Sequence, residues 1–220
     1  MTVTLETVRA DAEVQVFVRK ADENLEHLGY TEHGTRHAGL VAKIARNILL
    51  RLGRPEREAE LAAIAGYLHD LGNGISRIYH GIAAALLARD VLDRLGMPVS
   101  EYVEVMCAVG NHEEEYGEAV SYLAAALIIG DKSDVHRSRV RSSDPATYDI
   151  HDRVNSAATK SFVTVDAKAE TITLELEIDT SISPVMEYFE IFLSRMVMCR
   201  RAAQYLGCSF NLVVNGTRLE

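Results

Sequence analysis

From the N-terminus to about residue 135, apolar residues recur every third and fourth position; from about residue 160 to residue 178 they recur every second. This change of period constrains the chain more than its composition does. A 3.6-residue repeat cannot keep one face in a strand, and a two-residue repeat cannot keep one in a helix. Val14, Val18, Ala21, Leu25 and Leu28 mark a first helix that breaks at Gly29, and Leu40, Val41, Ile44, Ile48 and Leu52 a second that breaks at Gly53. Pro55 opens a third at a position that needs no amide, and the stripe Leu61, Ile64, Ala65, Leu68 carries it to the turn Gly72-Asn73-Gly74. A fourth helix is expected from Ile75 to Leu95, a fifth from Pro98, and a sixth from Ala119 to Ile129.

Residues 142 to 158 are rich in Ser, Asp, Pro and Asn and read as a connection with one short helix near Tyr148 to Asn155. Beyond it, Ile172, Leu174, Leu176 and Ile178 alternate with polar residues, and Phe162 to Ala167 precede them across a short turn, which predicts a β-hairpin. Ser183 and Pro184 then open a long helix with the stripe Val185, Phe189, Phe192, Met196, Cys199, Ala203 and Leu206, and a last strand is expected near Phe210 to Val214. The expected architecture is mainly α: a helical bundle over residues 1–141, and a C-terminal subdomain over 142–220 with a small antiparallel β-sheet and the long helix, packed on the bundle. The long helix would pack on that sheet or form a homodimer, and the tail half reads as scaffold or interface.

With 48% hydrophobic residues among 220, the chain can fill a core. No apolar run reaches membrane-spanning length, and the start MTVTLETVRADAEV lacks a signal-peptide pattern, so a cytoplasmic protein without a membrane partner is expected. The three cysteines, Cys107, Cys199 and Cys208, form no C-x-x-C pair and are expected to be buried thiols. A net charge of -9 disfavours nonspecific nucleic-acid binding. One basic cluster, Lys132, His136, Arg137, Arg139 and Arg141, stands against that background.

Metal-ligand residue types fall on helix faces that should enter the core. His69-Asp70 ends the apolar string AAIAGYLHDLGN; His37 shares a stripe with Val41, Ile44 and Ile48; His112 follows Val109 and Val105; Asp131 follows Leu127 and Ala124. Singly, a histidine at such a position is explained by a hydrogen bond in the core, and an aspartate by a cap or a pairing with Lys132 or Arg137. Together they place several ligand-type side chains in one helical array, where coordination would remove the cost of burying them.

The ordered set His37, His69-Asp70, Asp131, with the strings HAGLVAKIA after the first histidine and GDKSD around the last aspartate, resembles the HD superfamily of metal-dependent phosphohydrolases over residues 30 to 140. His80 and His112 are similar to the extra ligands of its two-metal branch. The resemblance implies that His37, His69, Asp70 and Asp131 hold one divalent metal, and that Asp70 bridges to a second held by His80 and His112. Nitrogen and carboxylate ligands suit iron or manganese, with zinc or nickel as alternatives. Such a pair would activate water and clamp phosphate oxygens, so the expected reaction is hydrolysis of a small phosphorylated molecule such as a nucleotide.

His33, one turn before His37, is the candidate proton donor, and Arg77, Lys132, Arg137, Arg139 and Arg141 are candidate phosphate contacts, although surface positions explain them equally. Relatives carry lysine or glutamate shortly after the doublet, where this chain has Gly72-Asn73-Gly74. The same ligand order would serve a di-iron oxygenase, and a metal-stabilised sensing protein is a further alternative.

Overall fold

Small residues decide how the helices meet. In the computed structural model, which describes residues 2–219, helices α3 (Thr35–Arg51), α4 (Glu56–Leu68) and α7 (Tyr122–Lys132) form the centre. Every residue of α4 from Leu61 to Leu68 is buried, as is every residue of α7 from Leu123 to Gly130. Helices apolar on all sides must be wrapped by others. Gly66 lets α4 approach α3 closely, since a Cβ there would lie 2.9 Å from the Cα of Ala42. Helices α1 (Leu5–Ala10), α2 (Ala12–His27), α5 (His80–Arg94) and α6 (Val99–Gly110) pack around this centre. Among the described residues, no helix is long and apolar enough to cross a membrane.

The fourth expected helix starts later than its apolar pattern suggests. Leu71–Gly74 form a 3₁₀ turn, Tyr79 takes a left-handed φ of 58°, and α5 begins at His80, leaving Ile75 and Ile78 exposed. Gly72 enforces this, because its Cα abuts the first turn of α5: a Cβ would meet the carbonyl oxygen of His80. Ser121 ends the preceding loop, its Oγ accepting the Ala124 amide at 3.1 Å, so α7 starts at Tyr122.

After α8 (Ile150–Ala157), β1 (Ala158–Asp166) and β2 (Thr171–Ile178) form the expected antiparallel hairpin, pairing Thr164 with Thr173. The sheet is mixed, however, and not antiparallel throughout. Helix α9 (Val185–Tyr205) serves as a crossover, so β3 (Ser209–Val214) runs parallel to β2. A further strand, β4 (Thr217–Leu219), returns antiparallel to β3 through Asn215-Gly216, both left-handed, the residue pair such a tight turn favours. The buried side of α9, including Tyr188, Phe192, Met196 and Cys199, packs mainly on α7, and the helix also touches β2 and β3. Cys199 and Cys208 are buried as expected, whereas Cys107 is exposed on α6.

Candidate metal centre and cleft

All six expected ligands come together at helix ends. His37 lies in the first turn of α3, His69 and Asp70 directly after α4, His80 at the start of α5, His112 two residues beyond α6, and Asp131 in the last turn of α7. Candidate ligand atoms of His37, His69 and Asp70, of His69, His112 and Asp131, and of Asp70, His80 and His112 lie within 4.8 Å of one another in each set. All four histidines are buried.

The outward hydrogen bonds of these rings determine what points inward. His69 Nδ1 donates to the Gly66 carbonyl at 2.8 Å, and His112 Nδ1 to the Val109 carbonyl at 2.6 Å. His80 Nδ1 lies 3.1 Å from the Arg77 carbonyl and 3.1 Å from Glu113 Oε2, and His37 Nδ1 lies 2.7 Å from Asp134 Oδ2. A carbonyl or an ionised carboxylate can only accept, so each ring keeps a proton on Nδ1, and where the ring is neutral its Nε2 lone pair faces the centre. The Nε2 atoms of His37 and His69 are 3.3 Å apart, and those of His80 and His112 are 3.1 Å apart.

Asp70 stands between the two pairs. Its Oδ2 is 3.6 Å from His37 Nε2 and 3.3 Å from His69 Nε2, while its Oδ1 is 3.4 Å from His80 Nε2 and 3.9 Å from His112 Nε2. Asp131 Oδ1 adds a second carboxylate at 3.5 Å from His37 Nε2. Converging imidazole nitrogens and carboxylates are costly when buried, and a cation beside each pair lowers that cost. The donor set therefore fits two divalent ions.

The charges around the centre respond to this crowding. Burial favours neutral Asp70, but the neighbouring His69, His33 and His80 prevail and hold it well below the usual carboxylate range. Burial likewise opposes the charged form of Asp131, and Lys132 with His37 and His69 outweighs it. His112 is pushed well below the ordinary imidazole value by burial and by His69 and His80, which keeps its nitrogen free for a metal. His37 behaves differently: burial and Arg139 oppose its charge, but hydrogen bonds to Asp131 and Asp134 raise it to about 9. Without a metal, a proton occupies part of this centre.

A cleft of about 420 Å³ opens onto Asp70, His80, His112 and Asp131. Arg77 and Lys132 are on its wall, although the Lys132 ammonium lies 2.7 Å from Asp131 Oδ2 and 3.5 Å from Glu114 Oε1. Other expectations change. Arg139 reaches the wall but is buried as a structural clamp, with Nη1 donating to the Asp134 carbonyl at 2.6 Å and Nη2 to His33 Nε2 at 2.8 Å. His33 consequently has no proton to offer. Its Nδ1 donates to the Thr31 carbonyl at 2.6 Å, its Nε2 accepts from Arg139, and burial together with that cation keeps the ring neutral. Arg137 is exposed off this wall, and Arg141 is tied to Asp22 and to the carbonyl of Tyr30.

Several site residues were not anticipated. Asp134 fixes His37, accepts from Arg36 Nη2 at 2.8 Å, and lies three residues after Asp131 in the string GDKSD, a spacing that offered a signal. Glu113 accepts the Gly81 amide at 2.6 Å beside His80. Asn73 Nδ2 donates to Asp70 Oδ1 at 2.8 Å, so the turn after the doublet orients the bridging carboxylate. From the C-terminal part, His151 of α8 and Ile191 and Arg195 of α9 line the cleft, which makes that part more than scaffold. Nothing in the local sequence pattern marks them.

The family model of the HD domain matches residues 35–143. An uncharacterized protein of Methanocaldococcus jannaschii is 28% identical over 149 residues, and the chain spans 56% of that relative's length. The crystal structure of a predicted HD superfamily hydrolase from an uncultured Thermotogales bacterium aligns with 56% of this chain and 67% of its own, at 24% identity and a TM-score of 0.45.

Proposed function

Because the chain belongs to the HD-domain family through residues 35–143, we propose that it hydrolyses a phosphate ester or phosphoanhydride of a small molecule, a nucleotide foremost, with two divalent ions of iron or manganese at this centre. The observation that carries the reading is the division of Asp70, one oxygen toward His37 and His69 and the other toward His80 and His112. When bound, the metals would supply a nucleophilic water at neutral pH and neutralise phosphate charge. The chain supplies the rest. Asp134 and the Gly66, Val109 and Arg77 carbonyls orient the imidazoles, and Asn73 orients Asp70. Arg77 and Arg195, on the cleft wall, would receive the substrate's anionic groups. Those guanidinium groups favour an anionic ligand over the uncharged polyol that an oxygenase reading would require.

Elemental analysis of anaerobically purified protein, combined with a phosphate-ester screen, tests this. About two transition metals per chain are expected, falling to about one in His80→Ala and near zero in Asp70→Ala, with turnover lost in both. Wild-type protein that takes up no metal on reconstitution, or takes it up and turns over no phosphate compound, would leave a ligand-sensing role instead.

A further inference from the structure

Phosphate-ester hydrolysis leaves an alkoxide that needs a proton, and besides the phenols of Tyr30, Tyr79 and Tyr116 the cleft wall offers imidazole and ammonium groups that could give one. His33 has both ring nitrogens engaged and is held neutral. Lys132 is drawn to Asp131 and Glu114, and Glu113 accepts from Gly81 beside His80. Arginines do not release protons at neutral pH. Among imidazoles on the wall outside the ligand set, that leaves His151. Its Nδ1 lies 3.4 Å from Asp149 Oδ2, its side chain is 53% exposed, and no described protein group bonds its Nε2.

His151 also lines an adjoining compartment of about 280 Å³ that shares Arg77, Arg139 and Arg195 with the cleft, so the ring sits where the two spaces join. One space reaches the candidate ligands, and the other has room for the organic part of a substrate. Resting on the phosphohydrolase reading, we infer that His151 is the leaving-group acid, turned toward the junction by Asp149. Residue 151 lies outside the stretch matched by the HD family model, so this role belongs to the chain's own C-terminal part.

In the step, a water oxygen forms a bond to phosphorus and gives one proton to solvent. The ester P–O bond breaks, its electron pair stays on the leaving oxygen, and that oxygen takes the proton from His151 Nε2. The neutral imidazole then regains a proton from solvent, so the net reaction is ester plus water to alcohol plus phosphate. The charged groups around His151 are Asp149 and Asp152 on its own segment and Arg195 from α9. Arg77 and Arg139 face the same compartment from the bundle, beside Tyr30 and His33.

Two esters separate this role from others: p-nitrophenyl phosphate, whose leaving group departs without a proton, and adenosine 5′-monophosphate, whose alkoxide requires one. In His151→Gln, kcat for the adenosine ester is expected to fall about 10²-fold or more, while the nitrophenyl ester changes less than about threefold. Asp149→Asn should show a weaker form of the same selectivity. In metal-free protein, diethyl pyrocarbonate followed by peptide mapping should modify His151 well before His33. Equal loss on both esters, no loss on the adenosine ester, or faster modification of His33 would overturn the assignment. Metal-loaded wild-type protein inactive on these two esters and on every other phosphate ester and anhydride screened would instead overturn the phosphohydrolase reading from which it follows.

Discussion

Asp134 shows how one carboxylate can set the state of the candidate centre. It is almost wholly buried, accepts from His37 and Arg36, and lies 3.7 Å from the Arg139 Nε, and these cations hold it below the usual carboxylate range. Asp134→Ala would strand the buried Arg139 and release His37, so a loss of about 3–5 kcal/mol is expected in denaturant unfolding of the metal-free protein. A cost below about 1 kcal/mol would refute this hub role. His37 makes a prediction of opposite sign in pH. Its value is raised from 6.5 to about 9, so its contribution to metal-free stability is complete below 6.5 and is lost as pH rises through about 9. A metal must displace that proton. Metal affinity should therefore climb roughly tenfold per pH unit up to about 9, with proton release visible by calorimetry in buffers of different ionisation enthalpy.

Helix contacts at the centre of the bundle rest on positions where a methyl group has no room. Gly66→Ala would push Cβ to 2.9 Å from the α3 backbone at Ala42, and overpacking of this kind costs about 1–3 kcal/mol. Gly39→Ala, on α3 with nothing within 4 Å of its Cβ, should instead stabilise by about 0.5–1 kcal/mol through helix propensity alone. Thermal melts of the two variants shifting in the same direction would contradict this account. Most elements were legible because their apolar periods are strong and their ends carry Gly, Pro or Ser. The start of α5 was not, because the stripe through Ile75 and Ile78 continues past the point where Gly72 meets His80. Strand β4 was missed although Asn215-Gly216 announces a tight turn, since a three-residue edge strand has little period to read.

Across the whole molecule, buried apolar residues form one cluster from Val3 to Val214, and α9 lies on α7, the helix that carries Asp131. The chain should unfold in one cooperative transition, with calorimetric and van't Hoff enthalpies in agreement, even though its texture changes near residue 142. Two resolved transitions would mean that the C-terminal part melts independently. The same packing brings His151 and Arg195 to the cleft, more than 100 residues after His37 in the sequence.

By itself the sequence determined the helical bundle, the hairpin and the six candidate ligands. Each of those rests on a local period, or on a residue type that is costly to bury without a partner. Tertiary structure alone decided which nitrogens turn inward, that Arg139 occupies His33, that Arg141 serves Asp22 rather than the cleft, and that α8 and α9 complete the wall. Those outcomes depend on hydrogen-bond partners and helix crossings between distant segments, and a one-dimensional pattern of apolar and charged residues does not encode which side chains will meet.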